Sequence, residues 1–209
     1  SLNYKQLELL LKKNFKIIKK PKYENNSSYP FLKKKNIFII TKCCGPEPRF
    51  NPGHSHADSL SFEVSINNKR FLINNGITTY EKNDLRFLQR STESHNTVKI
   101  NDKNSSAVWS SFRVGKKSQV FNRKINKKNY LISASHNGFS NFIKTITHNR
   151  TWKLKDDYLV INDEISGKFK NFKIYFHFSP NVNIFKKNNL LKFQIDKIKG
   201  IISFSNANN

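Results

Sequence analysis

The chain has 209 residues, with 38 Lys and Arg against 14 Asp and Glu, which gives a formal net charge of +24. This length suits one large domain, and the 36% of hydrophobic residues, 18 of them Phe, are enough to build a core. Its two cysteines are adjacent and its apolar runs are short, which excludes a disulfide-bonded scaffold, a cysteine-based metal site and a membrane-spanning helix.

The positive charge is compatible with nucleic acid, an anionic membrane or an acidic polysaccharide as a partner. Lysines are spread along the whole chain rather than in a stripe, and no aromatic pattern typical of RNA-binding domains is present. Nucleic-acid binding therefore ranks last. A general compositional bias explains the charge slightly better than any of these partners, so the charge weighs little in choosing a function.

Residues 2–18 carry apolar side chains at helical spacing, which predicts an amphipathic helix that ends before Pro21. The first twenty residues contain no uninterrupted apolar segment, so we do not expect this stretch to be a signal peptide. The pattern changes shortly afterwards. We therefore divide the chain near residue 25, into a helical segment 1–25 and a second part 26–209.

From about Tyr29 onward, short segments rich in β-branched and aromatic residues alternate in polarity. They are separated by turn sequences such as "INNKR", "KLKDDY" and "FKKNNL". The predicted strands are "NIFIIT", "SLSFEVSI", "KRFLIN", "NTVKI", "SQVFNRKI", "YLISAS", "FIKTIT", "RTWKL", "YLVINDEI", "FKIYFHF", "VNIF", "LKFQI" and "IISFS". A dozen strands with almost no helix between them predict a mainly β protein, an antiparallel sandwich or barrel.

The stretch "GHSHADSLSFEVS" at residues 53–65 places two histidines two positions apart, directly before a predicted strand. In an extended chain His54, His56 and Asp58 share one face. Zinc takes three or four ligands, so a zinc site needs others, for which "LINNG" and "ESHNT" offer Asn74, Asn75, Glu93, His95 and Asn96. The motif alone leaves open whether these histidines bind a metal, act in catalysis or are structural.

The remaining histidines and both tryptophans are interpreted as structural residues. For the histidines we expect hydrogen-bonding roles within strands: His136, His148 and His177. For the tryptophans we expect packing in the core or against a sheet: Trp109 and Trp152. Three arginines could pair with substrate carboxylates as bidentate donors: Arg86, Arg90 and Arg113.

The region from Cys44 to Pro180 resembles the C-terminal domain of the heparinase II/III family of polysaccharide lyases. The blocks "GHSHADSLSFEV" and "RSTESHNTV" carry the resemblance most specifically, and "SHNGFSN", "HNRTWKL" and "FHFSP" also fit the family's sheet region. It implies a large antiparallel β-sandwich over 26–209, truncated at its C-terminus. Residues 1–25 would then be the tail of an α/α toroid domain that this chain lacks.

The resemblance also implies an activity, the β-elimination of uronic-acid-containing polysaccharides. A base removes the C5 proton, which is acidic only when the adjacent carboxylate is neutralised, and an acid protonates the departing O4 oxygen. In the family the tyrosine and the carboxylate-neutralising residues come mainly from the toroid, so this piece alone is expected to be inactive. A bacterial origin and a periplasmic or extracellular location are implied too. The alternative is a non-catalytic carbohydrate-binding or structural sandwich.

Site residues follow from the resemblance position by position. His54 matches a histidine that faces the cleft and takes part in catalysis or substrate contact. His56 and His95 match ligands of a structural zinc. The third family ligand is an aspartate, and its position holds Asn74 here, whose neutral amide is a poorer zinc ligand. Either zinc binds weakly, or the cluster is hydrogen-bonded and holds the same loops.

Two further residues are predicted to bind the substrate. Tyr80 lies where the family often places an aromatic residue near the cleft. Arg90 lies in the arginine-containing stretch before the second histidine block and is predicted to contact a substrate carboxylate.

Overall fold

The computed structural model describes residues 27–187 and 190–205. The helix predicted for residues 2–18 and the division near residue 25 lie outside these ranges. Within them the chain forms one α-helix, α1 at Asp84–Arg90, and a short 3-10 helix at Thr92–Ser94. The strands are β1 Phe31–Lys34, β2 Ile37–Thr41, β3 Phe62–Ile66, β4 Lys69–Leu72, β5 Val98–Ile100, β6 Val108–Trp109, β7 Arg113–Val114, β8 Val120–Asn126, β9 Leu131–His136, β10 Thr147–Leu154, β11 Leu159–Ser166, β12 Phe172–Ile174, β13 Asn183–Lys187, β14 Leu190–Ile195 and β15 Ile198–Ile202.

Two four-stranded antiparallel sheets contain most of the strand residues of the described chain. One has the order β1-β2-β3-β4 and the other the order β11-β10-β9-β8. A three-stranded sheet β13-β14-β15 and the pairs β5-β12 and β6-β7 complete the arrangement. The prediction of a mainly β, antiparallel sandwich is confirmed.

The core lies between the two four-stranded sheets. Residues buried at alternate positions of β2 and β10 meet there, as the two-residue period of strands requires. Trp152 is fully buried, and its ring meets that of Phe62 edge-on, with a centroid distance of 6.2 Å. A second, smaller core contains Val98, Ile100, Phe139 and Ile146.

Three local predictions were wrong. "FIKTIT" is not a strand, because Asn141 closes a turn over residues 141–144. Helix α1 was not predicted, because its apolar residues are exposed and lack the spacing of a helix that packs an apolar face on the core. Trp109 was expected to pack in the core or against a sheet but lies 56% exposed on the β6-β7 hairpin, whereas the prediction for Trp152 is confirmed.

The buried face of the second sheet carries a polar network. His136 Nε2 lies 3.0 Å from His148 Nδ1, and His148 Nε2 lies 2.7 Å from Asp163 Oδ1. Gly138 N donates to His136 Nδ1, so the proton of His136 is on Nε2 and each imidazole donates to the next acceptor. Arg150 Nε donates to the same Asp163 Oδ1, and Arg150 Nη2 donates to Asp163 Oδ2. The structural roles expected for these two histidines are confirmed.

Acid is expected to destabilise the protein through these histidines. Burial lowers the pKa of His136 well below its usual range and also lowers that of His148, so the unfolded chain takes up protons that the folded chain refuses. Stability should be complete above about pH 6.5 and fall below it, by about 1.4 kcal/mol per pH unit for each histidine. Urea unfolding between about pH 7 and pH 5.5 measures this, because most carboxylates stay ionised over that interval. A constant urea midpoint over that interval would contradict the prediction.

Candidate functional site

The two histidines of the "GHSHAD" block point into different environments. His54 is exposed, whereas His56 is half-buried. The expectation that they share a face was wrong, because residues 53–61 are not extended: Ser55 N donates to Pro52 O, and Leu60 has a φ of 59°. The alternation of a strand begins only at Phe62.

His54 lies in a cluster of three rings that come from three separate loops. Its ring meets Tyr80 edge-on at a centroid distance of 5.6 Å and Phe112 at 5.7 Å. Tyr80 and Phe112 are stacked at 5.8 Å with an angle of 11° between their planes. Both rings remain substantially exposed, at 58% and 44%. We call His54, Tyr80 and Phe112 the ring cluster; it is an exposed surface with one imidazole, one phenol and one apolar face.

Phe112 was missed by the sequence interpretation. It lies 58 residues after His54 in the chain, within the turn of the β6-β7 hairpin, and no spacing links the two positions. The one sequence feature that could have indicated Phe112 is an aromatic residue in a turn between two short strands, a position where core packing does not require one.

Helix α1 buries its arginines and exposes its apolar residues, and the buried arginines explain how the ring cluster is held. Arg86 and Arg90 are one helical turn apart and each only 1% exposed, whereas Leu85, Phe87 and Leu88 are nearly half exposed. Asn83 caps the helix by accepting a hydrogen bond from the backbone N–H of Arg86. The charged face of the helix is therefore directed into the protein.

Arg86 connects the two loops that carry the aromatic rings. Its Nε donates to Ser111 O at 2.7 Å, and its Nη1 donates to Thr79 O at 3.1 Å. The guanidinium carbon also lies 5.0 Å from the ring centre of Tyr80 and 4.6 Å from that of Phe112. One buried cation thus fixes Tyr80 and Phe112 relative to each other.

Arg90 connects the histidine loop to the same hairpin. Nε and Nη2 donate to Ser55 O at 3.1 Å, and Nη1 donates to Ser110 O and Ser111 O at 3.1 and 2.9 Å. Nη2 also donates to Arg113 O. Because these carbonyls surround the buried guanidinium, the geometry assigns Arg90 to positioning the loop of His54 rather than to the substrate contact predicted for it.

Replacing Arg86 by lysine is expected to loosen the ring cluster while keeping the charge. The lysine ammonium cannot reproduce the planar guanidinium that donates to Ser111 O and Thr79 O, so at least one charged hydrogen bond is lost. The free energy of unfolding should fall by about 2 kcal/mol. Chemical denaturation of the variant measures the loss. Arg70, an exposed arginine paired with Glu63, provides a control: Arg70→Lys is expected to change stability little. An equal loss in both variants would contradict the positioning role.

The predicted metal ligands form a row instead of converging on one point. His56 Nδ1 lies 3.2 Å from His95 Nε2, and Asn74 Oδ1 lies 2.7 Å from the opposite ring nitrogen, His95 Nδ1. With the amide oxygen accepting from Nδ1–H, His95 presents a bare Nε2 to the Nδ1–H of His56. Burial lowers the pKa of His95 to about 4 and lowers that of His56, so both rings are neutral near pH 7.

This arrangement does not fit a zinc site. Asn74 and His56 occupy opposite sides of the His95 ring, so the three cannot bind one ion together. The nearest carboxylate, Asp58, is buried against Lys42 with Nζ to Oδ1 at 2.5 Å. Burial alone would raise the pKa of Asp58, but the Lys42 ammonium outweighs it and lowers the pKa. Within residues 27–187 and 190–205, no three His, Cys, Asp or Glu side chains are grouped as metal ligands.

The "HNT" block holds the histidine row to the sheets. Asn96 Nδ2 donates to Phe62 O and Ile73 O, and its Oδ1 accepts from the backbone N–H of His177. His177 Nε2 lies 2.9 Å from Glu93 O, which confirms the structural role expected for this histidine. The loop of His56 is therefore connected through His95 and Asn96 to strands on both sides.

Comparison with known proteins gives a consistent result. No curated protein sequence matches the chain. Its fold is similar to the crystal structure of the heparan sulfate lyase HepC from Pedobacter heparinus (TM-score 0.62, 19% identity, 84% of this chain and 26% of that one). It is also similar to the crystal structure of heparinase III (TM-score 0.52, 16% identity, 77% of this chain and 24% of that one).

The chain therefore spans about a quarter of the length of these solved relatives. At these identities the structural similarity establishes the fold, which is the same sandwich that the strands of this chain form. The family described as "Heparinase II/III-like, C-terminal" matches residues 19–209, which is nearly the whole chain. The chain belongs to the heparinase II/III-like C-terminal domain family.

Proposed function

We propose that this chain is the sandwich portion of a polysaccharide lyase that cleaves uronic-acid-containing polymers by β-elimination. The observation that carries the proposal is the ring cluster, in which an exposed imidazole and an exposed phenol lie side by side. His54 and Tyr80 are both residue types that transfer protons in catalysis. Two buried arginines hold their loops in place, which is how a protein preorganises a reactive surface.

The chemistry assigns a part to each ring. Removal of the C5 proton needs a base, and departure of the O4 oxygen needs an acid. The tyrosine that the resemblance implies for these steps comes from the toroid, so His54 and Tyr80 contact the sugar beside the bond that is broken, where His54 assists the proton transfer. Phe112 offers an apolar face against which the C–H face of a sugar ring can stack. Carboxylate neutralisation, which this reaction also requires, is assigned to residues of the toroid.

The substrate class follows from charge and from the relatives. A net charge of +24 favours a polyanion, and one structural neighbour is named a heparan sulfate lyase. We infer a uronate-containing polysaccharide, of the glycosaminoglycan kind or from a bacterial envelope. An enzyme acting on such a polymer would work in the periplasm or outside the cell.

Helix α1 supports the presence of a larger enzyme around this domain. Leu85, Phe87 and Leu88 stand exposed beside the ring cluster, on a helix whose other face is buried. The toroid domain, as partner, would cover these side chains and close the substrate cleft over His54. No helix of the described residues is long and apolar enough to cross a membrane.

We also propose that the row His56–His95–Asn74 braces the loop without zinc. Zinc is then expected to leave the thermal unfolding midpoint of the protein unchanged, because only two neutral imidazoles are placed to share an ion. Differential scanning fluorimetry with zinc and with a chelator measures this, with His56→Ala as the control for nonspecific binding. A rise in the midpoint with zinc that is absent in His56→Ala would restore the metal site.

The proposed function is tested with the full-length protein incubated with a panel of uronate polysaccharides. The formation of an unsaturated uronate, followed by its ultraviolet absorbance, is expected on at least one of them. Calorimetric binding to the same polymers is measured in parallel. Binding without any unsaturated product would favour the alternative, a carbohydrate-binding sandwich, over the lyase. If the protein shows no product and no binding, both functions are rejected.

A further inference from the structure

A turn at residues 141–145 exposes two apolar side chains completely. Phe142 is 110% exposed and Ile143 is 90% exposed, relative to the free residues. The turn is nevertheless well defined: Asn141 Oδ1 accepts the N–H groups of Ile143 and Lys144 at 2.9 and 2.7 Å, and Asn141 N donates to Lys144 O. The two apolar side chains therefore form a preformed, protruding tip.

The tip stands on a packed base. Ser140 Oγ donates to Ile146 O and accepts from Ile146 N, both at 2.9 Å. Ile146 in turn belongs to the second core, with Phe139. Lys116 Nζ donates to Gly138 O and to Ser140 O. Burying Phe142 against an outside partner would thus need no rearrangement of the turn.

Two neighbouring loops extend this surface. Asn101 Oδ1 accepts the backbone N–H of Lys170 at 2.7 Å, which joins the loop at 101–103 to the segment 167–173. Gly167 packs so closely on Thr145 that a Cβ would lie 2.2 Å from the Thr145 carbonyl oxygen. The three segments 101–103, 141–145 and 167–173 therefore form one surface, which we call the basic patch.

The basic patch combines positive charge with exposed rings. It contains one acidic residue, Asp102, which pairs with Lys173 at 2.8 Å. Phe169 and Phe172 are each more than a third exposed and lie beside one another, at a centroid distance of 6.1 Å. The exposed lysines of the patch are Lys103, Lys144, Lys168, Lys170 and Lys173.

We propose that the basic patch docks the protein on an anionic lipid surface, with Phe142 and Ile143 inserted among the lipids. Lysines attract anionic headgroups, and an aromatic and an aliphatic side chain at a protruding tip gain free energy when they enter the apolar layer beneath. A polysaccharide would bind the lysines as well, but its hydroxyls and carboxylates provide no apolar medium for an isoleucine. The convex, apolar tip therefore favours a lipid partner over a sugar chain.

The test is sedimentation of the full-length protein with vesicles of phosphatidylglycerol and phosphatidylcholine, compared with vesicles of phosphatidylcholine alone. Binding to the anionic vesicles is expected, and Phe142→Ser with Ile143→Ser should weaken it by about tenfold. The matched control makes the same two changes at exposed positions elsewhere, Phe185→Ser and Ile201→Ser. It should bind like the unchanged protein.

Charge is tested separately, with Lys144, Lys168 and Lys170 changed to Gln. Each lysine near an anionic surface adds to the attraction, so this triple variant should also lose at least about tenfold in binding. The control changes three exposed lysines elsewhere: Lys124, Lys128 and Lys153. Phe142→Trp adds a fluorescent reporter at the tip, and its emission is expected to shift to shorter wavelength with anionic vesicles.

Three results would overturn the proposal. Vesicle binding that is insensitive to the two serine changes would show attraction by charge alone. Absence of vesicle binding, combined with binding of a uronate polysaccharide that depends on the patch lysines, would make the basic patch a sugar site. Absence of both would leave the tip without a partner. None of these results depends on lyase activity, so the proposal stands or falls separately from the proposed function.

Discussion

Replacing His54 by alanine is expected to reduce the rate of lyase product formation by about 10² to 10⁴, the usual contribution of a positioned acid or base. His54 is exposed and touches only the edges of Tyr80 and Phe112 among the rings of the described residues, so its removal leaves the core intact. Stability should change by less than about 1 kcal/mol. The measurement is the steady-state rate of the full-length enzyme on the best polymer of the panel, with thermal unfolding of each variant.

Two controls separate chemistry from damage to the loop. Asn51→Ala lies in the same loop and should keep most of the activity. Tyr80→Phe keeps the stacked ring and removes only the hydroxyl, so a large loss would assign a proton-transfer role to the phenol. Tyr158→Phe makes the same change at an equally exposed tyrosine in another part of the chain. Full activity of His54→Ala would show that this histidine takes no part in the reaction.

Replacing Arg150 by methionine is expected to lower the free energy of unfolding by about 3–5 kcal/mol, the cost of leaving a buried charge without its partner. Arg150 is fully buried and binds both carboxylate oxygens of Asp163, at 2.6 and 2.9 Å. Its Nη1 also donates to Leu60 O and Asn96 O. The variant therefore loses the ion pair and a connection between the second sheet and both histidine blocks.

Denaturant unfolding of Arg150→Met, Asp163→Asn and the double variant measures this coupling. The double variant should be less destabilised than the sum of the two single changes, because it removes the unpaired charge together with its partner. Arg123→Met makes the same substitution at an exposed arginine and should stay within about 0.5 kcal/mol of the unchanged protein. Additive losses would contradict a coupled network.

Much of the architecture was predictable because strands have a recognisable local sequence pattern. Alternation of apolar and polar residues, with turn residues between segments, predicted every strand of the two four-stranded sheets except β1 within a few positions. The prediction failed where local signals and tertiary contacts conflict. Residues 142–147 have strand-like composition, but Asn141 captures two backbone N–H groups and closes a turn instead.

The candidate site shows a similar division. The two histidine blocks were recognisable from the sequence, and so was the doubt about zinc, since Asn74 stands where the resemblance implied a carboxylate. That Asn74 lies on the far side of the His95 ring is a matter of side-chain direction. The spacing of these residues in the sequence could not predict this direction, because the loops that bring His56, Asn74 and His95 together are separate in the chain.

By itself the sequence determined the family, the β architecture and the residue types available for chemistry, since strand periodicity and the two histidine blocks are local properties. Only the tertiary structure decided which side chains are neighbours. Arg86 and Arg90 looked like surface ligands for carboxylates, yet both are buried and bind backbone carbonyls. Phe112 gave no signal, yet it lies against His54. Hydrogen bonds and ring contacts between loops more than 20 residues apart depend on how the sheets place those loops, which local sequence does not encode.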